Sequence, residues 1–273
     1  MPNITKNTMR NVIQNSHDHL HPAAQQGFSQ AAELYQLVRP SYPPEIVDWL
    51  KHDLNISSNS VALDLGAGTG KFLDYLCQAT AKVIAVEPIA EMLNQLKIVH
   101  PEVQTQQAFS DAIALNSNSI DAIVCAQSFH WFAHIQSLKE MHRLLKPKGH
   151  LGLVWNQRDE RITWVKALAD LLAQYEGDTP RFHSGLWQHV FQAQSLFHQI
   201  SEKTFTQQHV GTVEQVVSKR LLSTSFIAAM PQTQQQEMKR QFEQIVHQHT
   251  GLNAQDQIAF PYVTYAFHYQ AKD

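Results

Sequence analysis

The sequence predicts an α/β fold in which short buried strands alternate with helices, and three observations predict it. Val61 to Leu65 is an apolar run containing one acid, Asp64, as suits a buried parallel strand. Gly66, Gly68 and Gly70 follow at every second position, and Phe72, Leu73 and Leu76 then recur at helical spacing. Two further apolar runs, Lys82 to Val86 and Ile120 to Ala126, are each followed by a stretch of helical period.

The glycine turn constrains the ligand. Glycine permits positive φ and lets a backbone come close to a bound molecule. The next helix begins with free N–H groups, and open α/β sheets bind ligands at the carboxyl ends of their strands. The spacing is Gly-x-Gly-x-Gly, not the Gly-x-Gly-x-x-Gly of a dinucleotide site. Asp64 beside the turn suits a cation and repels a pyrophosphate. Glu87 closes the second strand, where an acid accepts the two hydroxyls of a ribose. It lies seventeen residues beyond Gly70, near the usual offset of roughly 20. These features point to a positively charged ligand without phosphates.

The run Asp64-Leu65-Gly66-Ala67-Gly68-Thr69-Gly70 resembles motif I of the class I S-adenosylmethionine-dependent methyltransferases. Val86-Glu87-Pro88 resembles the acidic motif that follows it, and within that superfamily the chain resembles the small-molecule branch, the methyltransferase type 11 domain. The resemblance covers Phe28 to Asn156. It implies a Rossmann-like, seven-stranded, mostly parallel sheet with helices on both faces and an antiparallel last strand. It also implies S-adenosylmethionine as cofactor, with Asp64, Gly66, Ala67, Gly68, Gly70, Glu87 and Pro88 around it. Asp64 would support the turn and meet the ammonium end. Ser110 or Asp111 would bond the adenine amino group, and Gln127 would lie along the amino acid or ribose end.

The elements follow in order. Residues 1–27 are polar and rich in Asn, Gln and His, and a mobile start is expected. His17, His19 and His21 alternate there, but their spacing fits no zinc pattern, and no metal site is expected. Ala31, Leu34, Tyr35 and Val38 share a helical face that Pro40 ends, and Pro43-Pro44 opens a helix over Glu45 to His52. By resemblance, residues 28–52 form lid helices over the cofactor, with Phe28, Tyr35 and Arg39 facing the site. A helix is expected from Pro88 to Val99, with proline tolerated in its first turn, and a weak strand over Val103 to Ala108. After the strand Ile120 to Ala126 comes Gln127-Ser128-Phe129-His130-Trp131-Phe132, at a carboxyl strand end. The resemblance points His130 toward the acceptor, as a base or as an orienting group. Ile135 to Leu145 reads as a helix, Lys146-Pro147-Lys148-Gly149 as a turn and His150 to Asn156 as the fifth strand. Gly149 to Asn156 again resembles the family, and Trp155 and Asn156, which end the strand, would supply an aromatic wall and an amide for the acceptor.

The second half carries fewer signals. A helix is expected over Asp159 to Glu176, a loop at Asp178 to Arg181 and a sixth strand over Thr204 to Val210. Helices over Val213 to Met230 and Gln232 to His249 precede a last strand, Gln257 to Gln270. Residues 213–249 read as an insertion that caps the acceptor pocket. Residues 60–156 form the cofactor-binding core, and 28–273 a single methyltransferase domain.

Composition narrows the function classes. With 273 residues, 43% hydrophobic, and a mean hydropathy of −0.31, the chain reads as an ordinary globular protein. A net charge of −3 gives no electrostatic reason to expect nucleic acid or an anionic membrane as partner. Two cysteines, Cys77 and Cys125, suggest no disulfide and suit a reduced cytoplasm. A monomer or homodimer acting on a small molecule is expected.

Methyl transfer from a sulfonium is an in-line displacement, so positioning is the protein's main task and no covalent intermediate is needed. A base is needed only where the acceptor must lose a proton. Arg39, Arg158, Arg161 and Arg181 are candidates to bind a carboxylate, as in relatives that esterify small acids. The competing readings are a methyltransferase acting on RNA or protein, a non-catalytic S-adenosylmethionine-binding protein, and a nicotinamide dehydrogenase, which the glycine spacing opposes.

Overall fold

The computed structural model describes residues 38–192 and 194–273. The expected mobile segment 1–27, its alternating histidines, and Phe28 and Tyr35 lie outside the described residues.

The elements in chain order are α1 (Ile46–His52), β1 (Val61–Leu65), α2 (Leu73–Ala79), β2 (Lys82–Val86), α3 (Ala90–Val99), β3 (Gln104–Gln106), β4 (Ile120–Ala126), α4 (Ile135–Leu144), β5 (Leu145–Arg158) and α5 (Thr163–Ala173). A short α6 (His189–Gln192) precedes β6 (Phe197–Thr212). A π-helical stretch, Val213–Lys219, runs into α7 (Arg220–Leu222), then α8 (Ser225–Ala228), α9 (Gln232–Thr250) and β7 (Gln257–Ala271). The strands form a seven-stranded sheet in the order β3-β2-β1-β4-β5-β7-β6. Strands β1 to β5 are parallel, and β7 runs antiparallel to both β5 and β6. The expected Rossmann-like sheet with an antiparallel last strand is therefore present.

The strand period of two divides the core. Leu63, Leu65, Ile123, Cys125, Leu151 and Leu153 pack on one face with Leu138, Met141 and Leu144 of α4. Ala62, Val83, Ala85, Ala122, Val124 and Val154 face the other side, against Trp49 and Leu50 of α1 and Leu73 and Leu76 of α2. Each large side chain so buried contributes on the order of 1.5–3 kcal/mol. A third cluster joins Val165 and Leu168 of α5, Val216 and Val217, Phe242 and Val246 of α9, and Phe260 and Tyr262 of β7. The insertion thus has its own apolar contacts, set against the far end of the sheet.

Several boundaries differ from expectation for visible reasons. The Lys146 to Gly149 turn is a bulge inside a longer β5, where pairing with β4 shifts register and Lys148 takes φ 61°. Strand β6 extends well beyond Thr204 to Val210 because β7 pairs with it throughout. The helix expected over Val213 to Met230 is broken into three pieces. Its first piece is fixed by a capping box between Thr212 and Gln215.

The chain runs from β1 outward to β3, then returns to β4 on the other side of β1. That reversal opens a crevice at the carboxyl ends of β1 and β4.

Candidate active site

The crevice holds a cavity of roughly 190 Å³ lined by the glycine turn, Glu87, Pro88, Ser110, Asp111, Gln127 and Asn156. Gly66, Gly68 and Gly70 all have positive φ, at 73°, 58° and 88°. Gly66 shows why no side chain fits: an added Cβ would lie 2.6 Å from the Ser128 Cβ. Ser128 in turn donates to the Leu65 carbonyl at 2.7 Å, buttressing the turn. The main chain closes the other side, where Gly66 and Ala67 donate to the Val86 carbonyl at 2.8 and 3.1 Å.

Glu87 fastens this turn to the next one. Its carboxylate accepts the Gly68 N–H at 2.9 Å on one oxygen and the Ile89 N–H at 3.0 Å on the other. A carboxylate has about four acceptor positions, so each oxygen retains one for a ligand hydroxyl. Burial pushes its pKa up to about 7, against the pull of those two bonds. Asp64 is more exposed to cost. Both of its oxygens are buried without a hydrogen-bond partner, and the residue lines the cavity. Burial, and then the charge of Glu87, push its pKa up to about 8. Two adjoining buried acids, one of them unsatisfied, form a site that a cation stabilises.

The other sequence candidates are placed as follows. Ala67, Gly68 and Pro88 line the cavity, whereas Gly70 does not. A Cβ at Gly70 would meet His100 at 2.8 Å and Leu96 at 3.1 Å, so this glycine serves the packing of the turn on α3 and does not touch the ligand space. Ser110 and Asp111 both line the cavity, but Ser110 Oγ is committed to Ser137 Oγ at 2.6 Å. Gln127 takes a left-handed backbone, φ 60°, with its N–H on the Val154 carbonyl and its Nε2 on the Asn156 carbonyl at 3.0 Å. Such a conformation in a side-chain-bearing residue is costly and typical of binding sites.

Gln127, Asn156, Arg39 and Arg220 separate this cavity from a second one of roughly 70 Å³. His130 and Trp155 line only the second. The Trp155 indole donates to His130 Nδ1 at 3.0 Å, so the neutral ring carries its proton on Nε2. Burial, then the charges of Arg181, Arg39 and His183, push the His130 pKa down to about 3. A neutral ring whose lone pair is already used is a donor. Of the two roles expected for His130, the geometry favours orienting an acceptor and opposes acting as base. Asn156 is also committed: its Nδ2 donates to the Ser41 carbonyl at 3.0 Å and its Oδ1 accepts from Thr264 at 2.5 Å. It ties the segment before α1 to the sheet. Trp155 is fully buried, its ring 4.5 Å from Trp187 and 5.0 Å from Phe182. It forms the back of the second cavity. Tyr35 lies outside the described residues.

Sequence reasoning missed Tyr42, Lys71, Phe72 and Arg220 on the first cavity. Tyr42 is held by Tyr75, whose hydroxyl accepts its N–H at 2.9 Å and donates to its carbonyl at 2.7 Å. The aromatic pattern around Pro40 to Pro44 was the available signal. Arg220 comes from the insertion, and no local pattern marks it. Among the described residues, no cluster of three metal-ligating side chains occurs and no helix is long and apolar enough to cross a membrane.

A doubly wound sheet with a glycine turn and buried acids at its switch point is a Rossmann-like architecture whose crevice is placed to take a ligand. Residues 63–153 match the methyltransferase domain family. An uncharacterized methyltransferase-like protein of Schizosaccharomyces pombe is 36% identical over 234 residues, covering 85% of this chain and 91% of that one. An uncharacterized methyltransferase of Mycobacterium bovis is 35% identical over 237 residues, covering 87% and 92%. Among solved structures, a putative type II methyltransferase from Anaeromyxobacter dehalogenans superposes with a TM-score of 0.63 at 21% identity, over 86% of this chain and 97% of that one, which shows the shared fold. The chain belongs to the class I S-adenosylmethionine-dependent methyltransferases.

Proposed function

We propose that the protein transfers a methyl group from S-adenosylmethionine to a small-molecule acceptor. The observation that carries this is the unpartnered, buried Asp64 carboxylate, which lines the cavity with Glu87 and the glycine turn. The cofactor supplies a methyl group already activated on a positive sulfonium. Asp64 neutralises its ammonium end, and Glu87 takes the two ribose hydroxyls while holding the Gly68 N–H. Ser110, whose hydroxyl is also bonded to Ser137, or Asp111 accepts from the adenine amino group, since both line the cavity. Pro88 and Ile89 cover one face of the nucleoside, and Gln127 lies along the cofactor where the two cavities meet. His130 donates from Nε2 to the acceptor.

The small second cavity, closed behind by Trp155, Phe182 and Trp187, supports a small acceptor over RNA or protein. Incubating the protein with methyl-labelled cofactor and a metabolite extract, then identifying what gains the label by mass spectrometry, tests the reading. Label found only in macromolecules would overturn it.

A further inference from the structure

The second cavity is lined by four arginines, Arg39, Arg158, Arg181 and Arg220, and, among the described residues, by one carboxylate, Glu176. That carboxylate is occupied, with Arg181 at 3.4 Å and His183 at 3.1 Å. Arg39 and Arg181 have partners of their own: Arg39 donates to the Ser223 carbonyl at 2.9 Å, and Arg181 lies over the Phe226 ring. Arg39 Nε is buried without a hydrogen bond as well, but the other two differ in that, among the described residues, neither guanidinium donates a hydrogen bond from any of its nitrogens. Arg158 Nε, and Arg220 Nε and Nη1, are buried without a hydrogen-bond partner, and Arg220 is only 5% exposed. Thr224 Oγ1 and Tyr262 Oη, on the same wall, are unpartnered as well. All five atoms belong to groups that donate hydrogen bonds.

Buried polar groups in native proteins find partners, and two neighbouring buried guanidiniums repel until a negative charge lies between them. A water satisfies a donor but leaves the charge. A carboxylate satisfies both, and the guanidinium fork matches its two oxygens. The cavity also lacks a base. His130 has its lone pair on the Trp155 N–H, and the two other candidates on the cavity, Glu176 and His183, are paired with each other. The nucleophile must therefore arrive unprotonated. A carboxylate does so at neutral pH, whereas an amine or phenol arrives protonated, and an ammonium is repelled by the arginines. A carboxylate gripped by two guanidiniums is a poor nucleophile, so the gripped group and the reacting group are different.

We propose that this cavity anchors one carboxylate of the acceptor on Arg158 and Arg220, and that the acceptor is a small organic acid with a second carboxylate that is methylated. This deepens the methyl-transfer reading and rests on it. In the step, an oxygen of the second carboxylate forms a bond to the methyl carbon as the carbon–sulfur bond breaks. The sulfur keeps the electron pair and becomes a neutral thioether, the carboxylate becomes a neutral methyl ester, and no proton moves.

The test is calorimetry on the full chain, with and without S-adenosylhomocysteine, titrated with malonate, succinate, glutarate and tricarballylate, and with glutaramide as the uncharged control. At least one acid is expected to bind and glutaramide is not. Arg158→Met is expected to weaken the acid by about tenfold or more. It should leave S-adenosylhomocysteine affinity unchanged, because Arg158 lines only the second cavity. The unfolding midpoint of the cofactor-free variant should hold or rise, since a buried donor without a hydrogen-bond partner is removed from beside a second guanidinium. Should Arg158→Met fail to fold, Arg220→Lys keeps the charge without the fork and is expected to weaken acid binding less. Mass spectrometry with labelled cofactor should find the methyl on the bound acid's carboxylate. Acids that bind no better than glutaramide, or that bind both variants as tightly as the wild type, would overturn the proposal. So would a bound acid that gains no methyl while another class of compound does. Acid binding without any S-adenosylhomocysteine binding would instead contradict the methyl-transfer reading and leave the anchor standing.

Discussion

Trp155 donates its indole N–H to Nδ1 of His130 at 3.0 Å, across the floor of the second cavity. The strand end of β5 thereby sets the tautomer of a residue on the loop after β4. Trp155→Phe keeps most of the ring packing and removes this donor. It is expected to lower kcat/KM by about two- to tenfold, the range of one neutral hydrogen bond. No group in wild-type kcat/KM profiles should titrate near pH 6.5 on account of His130, whose pKa is pushed down to about 3. A limb there that disappears in His130→Gln would restore its role as a base.

The two acids of the crevice predict a pH dependence. Asp64 is pushed up to about 8 and Glu87 to about 7. A folded-state pKa above the unfolded one contributes stability below the unfolded value and loses it as pH rises through the folded value. The cofactor-free protein should therefore lose stability between about pH 6.5 and 8. His130 works in the opposite sense, losing stability as pH falls from about 6.5 toward 3, and so falls outside that window. Thermal unfolding at both pH values should show the loss in the wild type and a smaller one in Asp64→Asn. An equal loss in both would remove Asp64 as the cause.

Cationic ligand binding draws both acids toward their charged forms. Cofactor binding near pH 7 is expected to release protons, seen as calorimetric enthalpies that vary with the ionisation enthalpy of the buffer. Enthalpies independent of buffer would contradict the assignment.

Gly66→Ala places a Cβ 2.6 Å from the Ser128 Cβ at a φ of 73°. The expected cost is on the order of 1–3 kcal/mol, measured by denaturant unfolding, together with weaker cofactor binding. Unchanged stability would mean that the turn is looser than described.

Asn156→Ala removes the partners of the Ser41 carbonyl and the Thr264 hydroxyl. It is expected to destabilise by roughly 1–3 kcal/mol and to speed hydrogen exchange in the segment around Tyr42. Unchanged exchange there would show that other contacts hold this segment.

Strands β1, β2 and β4 were legible residue by residue, because a buried parallel strand must be apolar; a glycine follows β1 and an acid follows β2. The same logic marked Asp64 and Glu87. Strand β6 was legible only in part. It lies at the sheet edge with most of its side chains partly or fully exposed, so apolar alternation has nothing to impose. Lys148 hid a bulge because lysine carries no signal for positive φ. Arg220 was invisible for another reason: its place on both cavities comes from the insertion packing on β7, a tertiary contact with no local sequence period.

The central claim is that a sulfonium nucleoside sits on the glycine turn with its ribose on Glu87. Calorimetric titration of the full chain with S-adenosylhomocysteine, in the wild type and in Glu87→Ala, tests it most directly. The account predicts one site per chain in the wild type, weakened in the variant by about tenfold or more, as loss of charge-assisted hydrogen bonds requires. Equal affinity in the two proteins would contradict it.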